Sequence, residues 1–192
     1  NQYIDIDSGT NFAALPGSPP IARYVKTVGD FVMLMDLASP LGIASSGRIQ
    51  VAWSGVRDFD FWTFGQKSSG FATFWDGGFV QGCTSILGGL MFQKEAISRM
   101  VRRQQGLPAF DFAPILETQG TNAPASIVSH EGETSFLSSD GFMTIGSDGI
   151  RQIGFGRVDK WFLENCEPTR VSEVIGALDP VTMREMWAFP TA

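Results

Sequence analysis

The chain has 192 residues, of which 43% are hydrophobic and 18% charged, and this composition is typical of a globular domain rather than of a disordered segment. Its net charge of −6 argues against a general polyanion-binding surface and leaves only a local basic patch open. The chain contains sixteen Phe and five Trp, and also 22 Gly and ten Pro, as expected for many short strands joined by many turns.

The cysteines and the apolar runs bear on the compartment in which the chain works. Cys83 and Cys166 are far apart and form no CxxC pair, so they are predicted to be free core thiols in a reducing cytoplasm rather than part of a disulfide framework or a zinc site. No apolar run approaches the ~20 residues that a membrane-spanning helix needs, and no signal peptide is recognised. Because the chain starts at Asn1 rather than at Met, it is interpreted as processed or as a piece of a longer polypeptide.

The first third of the chain is predicted to be strand and turn. Residues 1–21 are assigned to an N-terminal edge strand, NQYIDID, and a Pro-rich loop. Ala22–Leu37 is predicted as a hairpin that turns at Gly29-Asp30, and its apolar run FVMLM is typical of a strand buried on both faces. Arg48–Phe64 continues the pattern with period-two alternation, followed by a predicted outer strand Phe61–Phe64 and one more extended piece at Phe71–Trp75.

The middle of the chain repeats this pattern. Phe79–Cys83 and Leu90–Gln93 are predicted strands, and Phe110–Ile115 alternates like another. Ala96–Val101 is ambiguous, because its apolar residues also have the i, i+3, i+4 spacing of a helix. A hairpin through a turn at Lys94-Glu95 is favoured, since the segment is short and flanked by strand signals.

The stretch Gly132–Gly154 gives the clearest local signal. Asp140-Gly141 and Asp148-Gly149 separate short apolar runs, and Asp-Gly in that context predicts hairpins with type I′ turns. A three-stranded meander is therefore expected. Beyond it, Arg157–Cys166 is predicted to hold one helical turn, and two further strands are expected within Val171–Ala177 and Met186–Phe189.

These segments form an approximate internal repeat. Units beginning near Tyr24, Phe79, Ile127 and Val171 each place a Gly- or Asp-containing turn before an aromatic- or Met-rich strand. Their spacing of roughly 50 residues is close to that of kelch-like propeller blades. The fold class is predicted as all-β, with β-propeller-like antiparallel meander blades. Residues 22–192 supply about three blades and the start of a fourth, so an incomplete propeller or part of a larger one is expected.

The order of several motifs resembles a family of structural proteins of tailed bacteriophages and prophages, the β-propeller tail hub, nozzle or DNA-stabilisation proteins. The resemblance covers most of Ala22–Phe162 and is carried by ARYVKTVGDFVML, RIQVAWSG, WDGGFVQG, GLMFQKEAISRM, GTNAPASIV, SSDGFMTI and QIGFGRVDKWF. It implies a virion component of the tail or head–tail junction, assembled in the host cytoplasm, that works as part of a ring of copies beside other tail or neck proteins. It implies no catalytic residues.

Residues capable of chemistry are few in the sequence. No HExxH, P-loop or GxSxG motif is present, and the lone His130 is interpreted as an exposed loop histidine rather than as a triad member or metal ligand. Carboxylates beside Gly-containing turns suit a glycosidase pair or a Ca²⁺ site, but their turn positions favour a backbone-bonding role; they are Asp58, Asp60, Asp140 and Asp148. No enzyme activity, cofactor or metal is therefore predicted.

Two sets of residues are candidates for binding. Packing between blades is favoured over sugar stacking for the tryptophans, which are Trp53, Trp62, Trp75, Trp161 and Trp187. Arg99, Arg102 and Arg103 form the one concentrated basic run. It is predicted to meet DNA phosphates, non-specifically, or an acidic neighbouring subunit, with a solvated edge as the alternative. The expected function is a non-enzymatic tail or head–tail component that helps retain or conduct DNA. The alternative is a carbohydrate-binding or glycan-cleaving propeller.

Overall fold

The computed structural model describes residues 2–3, 13–85, 88–103 and 108–191, and over these the chain is all-β, with antiparallel sheets and short helical segments. β1 (Gln2–Tyr3) pairs with β2 (Ala13–Ala14) at the N-terminus. Most of the predicted edge strand NQYIDID lies outside the described residues. No helix in the described part of the chain is long and apolar enough to cross a membrane.

Sheet I contains four antiparallel strands in chain order: β3 (Ala22–Val28), β4 (Phe31–Leu37), β5 (Gln50–Trp53) and β6 (Gly70–Thr73). The predicted hairpin at Gly29-Asp30 is confirmed, because Val28 pairs with Phe31 across a two-residue loop. The prediction of an outer strand at Phe61–Phe64 is wrong; the outer strand is β6. Residues with left-handed backbone at Arg57, Gly65, Lys67 and Ser68 fold the intervening segment into turns.

Sheet II has the same order: β7 (Val80–Cys83), β8 (Leu90–Gln93), β9 (Ile97–Arg102) and β10 (Phe110–Leu116). The favoured hairpin through Lys94-Glu95 is confirmed, and Gln93 N donates to Ala96 O at 2.8 Å. The helix-like spacing has a simple origin. Ile97 and Met100 lie on opposite faces of β9, and both are buried because the sheet packs on both sides.

Sheet III repeats the arrangement: β11 (Val128–His130), β12 (Glu133–Ser138), β13 (Gly141–Gly146) and β14 (Gly149–Gln152). The predicted meander is confirmed, but its type I′ turns are not. At Asp140-Gly141 and Asp148-Gly149 only the glycine has positive φ, 113° and 100°, and each glycine is already a paired strand residue. The loop in which both residues have positive φ is Glu131-Gly132.

The C-terminal part adds helical segments and a hairpin. α1 (Asp159–Asn165) exceeds the single turn expected, and a 3-10 helix spans Pro168–Glu173; two shorter 3-10 helices lie earlier in the chain, at Gly47–Ile49 and Pro124–Ser126. β15 (Ile175–Asp179) and β16 (Arg184–Ala188) pair to form hairpin IV. The Asp159 carboxylate accepts from Phe142 N at 3.0 Å, which fixes α1 to the start of β13.

The sheets stack face to face in chain order, joined by buried aromatic rings. Phe110 of sheet II meets Phe31 and Trp53 of sheet I edge-on, at centroid distances of 4.9 and 5.3 Å. Phe92 of sheet II meets Phe136 of sheet III at 5.0 Å. The other face of sheet III carries Phe142, which packs on Phe162 of α1 and Trp187 of hairpin IV.

The two ends of the stack differ. The outer face of sheet I, with Leu34 and Ala52, is covered by the chain's own Trp62 and its neighbours. At the other end, hairpin IV turns Trp187 towards sheet III and leaves its outer face exposed. That face carries the apolar side chains Ile175, Ala177, Met186 and Ala188.

Candidate functional site

The first strands of the sheets and of hairpin IV lie close to neighbouring modules, a module being one sheet or hairpin IV. β7 lies beside β3 and β4, and β15 lies beside β11. Small residues permit this approach: a Cβ on Gly176 would be 2.5 Å from Val128 Cγ2, and one on Gly82 would be 3.3 Å from Ile127 Cδ1. Two adjoining cavities, which we call the inner-strand cavities, lie beside β3 and β7.

The larger of these, which we call the inner cavity, has a volume of about 600 Å³ and receives residues from sheets I, II and III and from the C-terminal segment. The smaller one, of about 290 Å³, shares Arg23, Tyr24 and Gln81 with it and continues along β3 and β7. Together they run along the inner strands. All the modules that stack in the fold therefore contribute to one site.

The walls of the two cavities are basic. Arg23, Arg48 and Lys94 line the inner cavity and Lys26 lines the smaller one, whereas none of the described lining residues is Asp or Glu. Hydroxyl and amide side chains complete the polar part of the inner wall, namely Asn122, Ser138, Ser139, Thr169 and Ser172. On a chain with a net charge of −6, this is a local concentration of positive charge.

Asp36 lies beside two of the arginines and forms a hydrogen bond with one of them, Arg48. Its buried carboxylate lies 3.1 Å from Arg48 Nε and 3.8 Å from Arg23 Nη1. Asp36 also has a φ of 55° inside β4, a left-handed conformation that is uncommon for a non-glycine residue. The Arg48 guanidinium is further fixed at 3.7 Å over the Phe79 ring. Arg48 is therefore oriented before any ligand arrives.

Ser138 is the residue of the inner wall with an unsatisfied polar atom. It is 7% exposed, and its hydroxyl has no hydrogen-bond partner among the described residues. A buried hydroxyl without a partner costs about 1–3 kcal/mol relative to a bonded one. A ligand in the inner cavity that accepts a hydrogen bond removes that cost.

Two titratable groups border the cavities and are shifted by burial. Burial raises the pKa of Tyr24, against the opposing effect of Arg23. Burial likewise raises the pKa of the Cys83 thiol to about 12, although nearby Lys26 acts in the other direction. Cys166 is also buried, and both cysteines are free thiols as predicted. Neither Tyr24 nor Cys83 has the activated character of a nucleophile.

A second concave surface surrounds Trp75. This side chain is 62% exposed and borders a cavity of about 410 Å³ with Phe74, Asp76, Phe112 and Glu117. An exposed indole beside two carboxylates is an arrangement suited to stacking on a sugar ring and bonding its hydroxyls. Trp53, by contrast, is completely buried between sheets I and II and cannot stack on a glycan.

The structure places the predicted arginine run on β9 and just after it, but on two faces. Arg102 shares a face with Phe110 and lies over the Phe31 ring at 5.3 Å, towards sheet I. Arg99 pairs with Leu90 on the opposite face. Arg103 donates to Asp111 at 2.5 Å, and this bond raises the pKa of its guanidinium. None of the three lines either inner-strand cavity.

The interpretation of His130 as an exposed loop residue is wrong. It belongs to β11, is largely buried, and places Nε2 at 3.1 Å from Glu185 Oε1 of hairpin IV. The pair therefore connects sheet III to the hairpin that stacks on it. The prediction failed because the sequence around His130 is polar and the strand that ends at His130 is only three residues long.

Three of the four turn carboxylates accept hydrogen bonds from side chains, whereas Asp60 Oδ1 is buried with no hydrogen-bond partner among the described residues. Asp58 pairs with Lys67 Nζ at 2.8 Å, and Asp140 accepts from Gln119 Nε2 at 2.5 Å. Asp140 and Asp148 lie at opposite ends of β13, a six-residue strand that is roughly 20 Å long. Among the described residues, no group of three or more His, Cys, Asp or Glu side chains is arranged to hold a metal ion.

Sequence reasoning missed the basic residues of the inner cavity. Arg23, Arg48 and Lys94 are scattered singly over three strand-and-turn segments and form no local motif. The usable signal was indirect: Arg23 and Lys26 are the two charged residues of an otherwise uncharged predicted strand at the start of the first repeat. Comparison with known proteins adds no further assignment, because neither models of protein families nor curated protein sequences match this chain.

Proposed function

We propose that sheets I, II and III are successive blades of a β-propeller and that hairpin IV is the beginning of a fourth. The observation that carries this proposal is the repeated four-stranded antiparallel meander, in chain order, with apolar side chains buried between successive sheets. In propellers, meanders of this kind are arranged radially around a central channel. The proposal assigns the two cavities to such a channel.

The exposed face of hairpin IV supports an incomplete ring. Each earlier junction buries apolar side chains from both sheets, and hairpin IV presents another apolar face on which Ile175 and Met186 are more than half exposed. Exposed apolar patches of this kind mark interaction sites. The proposal assigns this face to a further blade, supplied by more of the same polypeptide or by a neighbouring chain. Residues 1–21 then lie outside the blades, and residues 22–192 form them.

On this basis the function proposed is that of a non-enzymatic structural component of a phage tail or head–tail junction. Its blades contact copies of itself and other tail or neck proteins, and the ring helps to retain or conduct DNA. Two observations support this proposed function. The motif order resembles that of propeller proteins of phage tails, and the described residues present blade-like sheets with an open apolar face.

The test is a sedimentation experiment on particles released from the cells that produce the protein. The lysate is separated on a density gradient, and this chain is quantified by mass spectrometry in each fraction. The proposal predicts that the chain sediments with intact particles, in a constant ratio to a ring-forming tail protein. A chain found only in the free protein fractions would contradict a virion role.

A glycan-binding propeller is the second candidate, and the cavity beside Trp75 favours it. A glycan array with the purified protein tests it, using Trp75→Ala as the variant and Trp161→Ala, another exposed tryptophan, as the matched control. Binding that is lost in the first variant and kept in the second supports the candidate. An array without any bound glycan removes it.

A further inference from the structure

We propose that the inner cavity binds a small phosphate-bearing anion through Arg23, Arg48 and Lys94. The cavity is formed entirely by this chain. Its occupation therefore does not depend on a ring, on a virion or on any partner protein. Failure of the virion proposal would leave this one standing, and the reverse also holds.

The charge of the site favours an anion. The two inner-strand cavities are lined by four basic side chains, and the carboxylates paired with these are Asp36, which is buried, and the exposed Glu95. Glu95 lies 3.9 Å from Lys94 Nζ, a distance too long for a hydrogen bond. The basic side chains that line the two cavities thus outnumber their carboxylate partners, while the molecule as a whole has a negative net charge.

The arrangement of Arg48 favours phosphate over a simple halide. Its Nε donates to Asp36 at 3.1 Å and its plane lies over Phe79, whereas its terminal amino groups have no partner in the described part of the chain. A fixed guanidinium with free Nη groups presents two parallel donors, the geometry that suits two oxygens of a phosphate. Less side-chain freedom is lost when such a group binds.

Ser138 adds a hydrogen-bond donor to the wall of the inner cavity. It lies at the end of β12, and its buried hydroxyl has no partner among the described residues. Phosphate oxygens accept hydrogen bonds from hydroxyl groups as well as from cations. A single phosphate that bonds both Ser138 and the basic side chains accounts for the unpaired hydroxyl and for the surplus charge together.

The size and shape of the cavity restrict the ligand to a small one. A volume of about 600 Å³ lies in the range of small-molecule sites, and the wall is concave, with contributions from every module of the stack. Duplex DNA is read on extended basic surfaces rather than inside such a cavity. The proposed ligand is therefore inorganic phosphate or a phosphomonoester. The test below includes a DNA duplex, so that binding of DNA can be told apart from binding of phosphate.

The test is a titration of the purified protein with inorganic phosphate at constant ionic strength, with chloride as the reference salt. Binding is measured by calorimetry and by the rise in melting temperature. The double variant Arg23→Gln/Lys94→Gln changes two exposed groups and leaves the Arg48–Asp36 pair intact. It should bind phosphate at least about tenfold more weakly, because charged hydrogen bonds are lost.

The matched control is Arg99→Gln/Arg102→Gln, which removes the same charge outside both cavities. It should bind phosphate within about twofold of the unaltered protein. Equal weakening in both double variants would mean that only the net charge matters, and it would overturn the site. Identical behaviour of the unaltered protein in phosphate and in chloride would overturn it as well.

Ser138→Ala gives a readout that a structural role would not give. Removal of an unpaired buried hydroxyl should leave the melting temperature in chloride unchanged or higher, and it should reduce phosphate affinity severalfold. A lower melting temperature with unchanged affinity would contradict the role assigned to Ser138. A 20-base-pair DNA duplex is the final arm. If it binds where phosphate does not, and only the Arg99→Gln/Arg102→Gln variant weakens it, the cavity proposal fails.

Discussion

Phe136 is the residue whose replacement tests the stacking of sheets II and III most sharply. It is fully buried on β12, and its ring meets Phe92 of sheet II edge-on, at 5.0 Å and 63°. Phe→Ala substitutions in cores cost about 3–5 kcal/mol, which combines lost transfer free energy with a residual cavity. Against a total stability of roughly 5–15 kcal/mol, Phe136→Ala should remove about a fifth or more of the free energy of unfolding.

The assay is urea unfolding followed by tryptophan fluorescence, because Trp53 and Trp187 lie in the two flanking junctions. The midpoint should fall while the m-value stays constant. Phe155→Ala is the control, since Phe155 is 76% exposed, and it should change stability by no more than about 0.5 kcal/mol.

A double-mutant cycle isolates the ring contact itself. Phe92→Leu and Phe136→Leu keep apolar volume while removing the edge-to-face pair, so their coupling should be about 0.5–1.5 kcal/mol. A coupling below about 0.3 kcal/mol, together with a Phe136→Ala cost under about 1 kcal/mol, would refute face-to-face packing of sheets II and III through this pair.

Three further outcomes follow from particular contacts. Gly176→Val should detach hairpin IV and raise its amide hydrogen exchange, because a Cβ there would lie 2.5 Å from Val128 Cγ2; unchanged exchange would contradict the close approach. Gly154→Ala should destabilise by more than about 2 kcal/mol in urea unfolding, since the new carbon would meet the buried Asp159 carboxylate, and a neutral result would contradict that packing. Cys83 should not react with a disulfide reagent at pH 8 in the folded protein, because its pKa is raised to about 12. The same shift makes stability fall as pH rises from about 9 to about 12, a slope that Cys83→Ala should reduce; the part that remains includes Tyr24, whose pKa is also raised by burial.

The strands were predictable where local chemistry decides them. The run FVMLM, continuous in apolar residues, predicted a strand buried on both faces, and β4 lies between the sheet I–II core and the cover of Trp62. Asp-Gly pairs marked two of the three hairpin turns of sheet III, although not their type. The type depends on which residue begins the next strand, and pairing at Gly141 and Gly149 decides it.

Other features depend on contacts that are distant in sequence. Phe61–Phe64 has the composition of a strand, yet Trp62 is drawn into a core with Leu34 and Ala52. His130 is polar in its local context, yet it is paired with Glu185, 55 residues later in the chain. The inner cavity is the strongest example, because its basic residues come from the segments of sheets I and II and the rest of its wall comes from sheet III and the C-terminal segment.

The most direct measurement of the central claim is a single-particle electron-microscopy map of the protein in the assembly in which its cells produce it. The account predicts a further β-sheet packed on the outer face of hairpin IV, against Ile175 and Met186. The first strands of all sheets should surround one axis. Solvent at that face in the intact assembly, or sheets that do not share an axis, would contradict the assignment of these sheets as propeller blades.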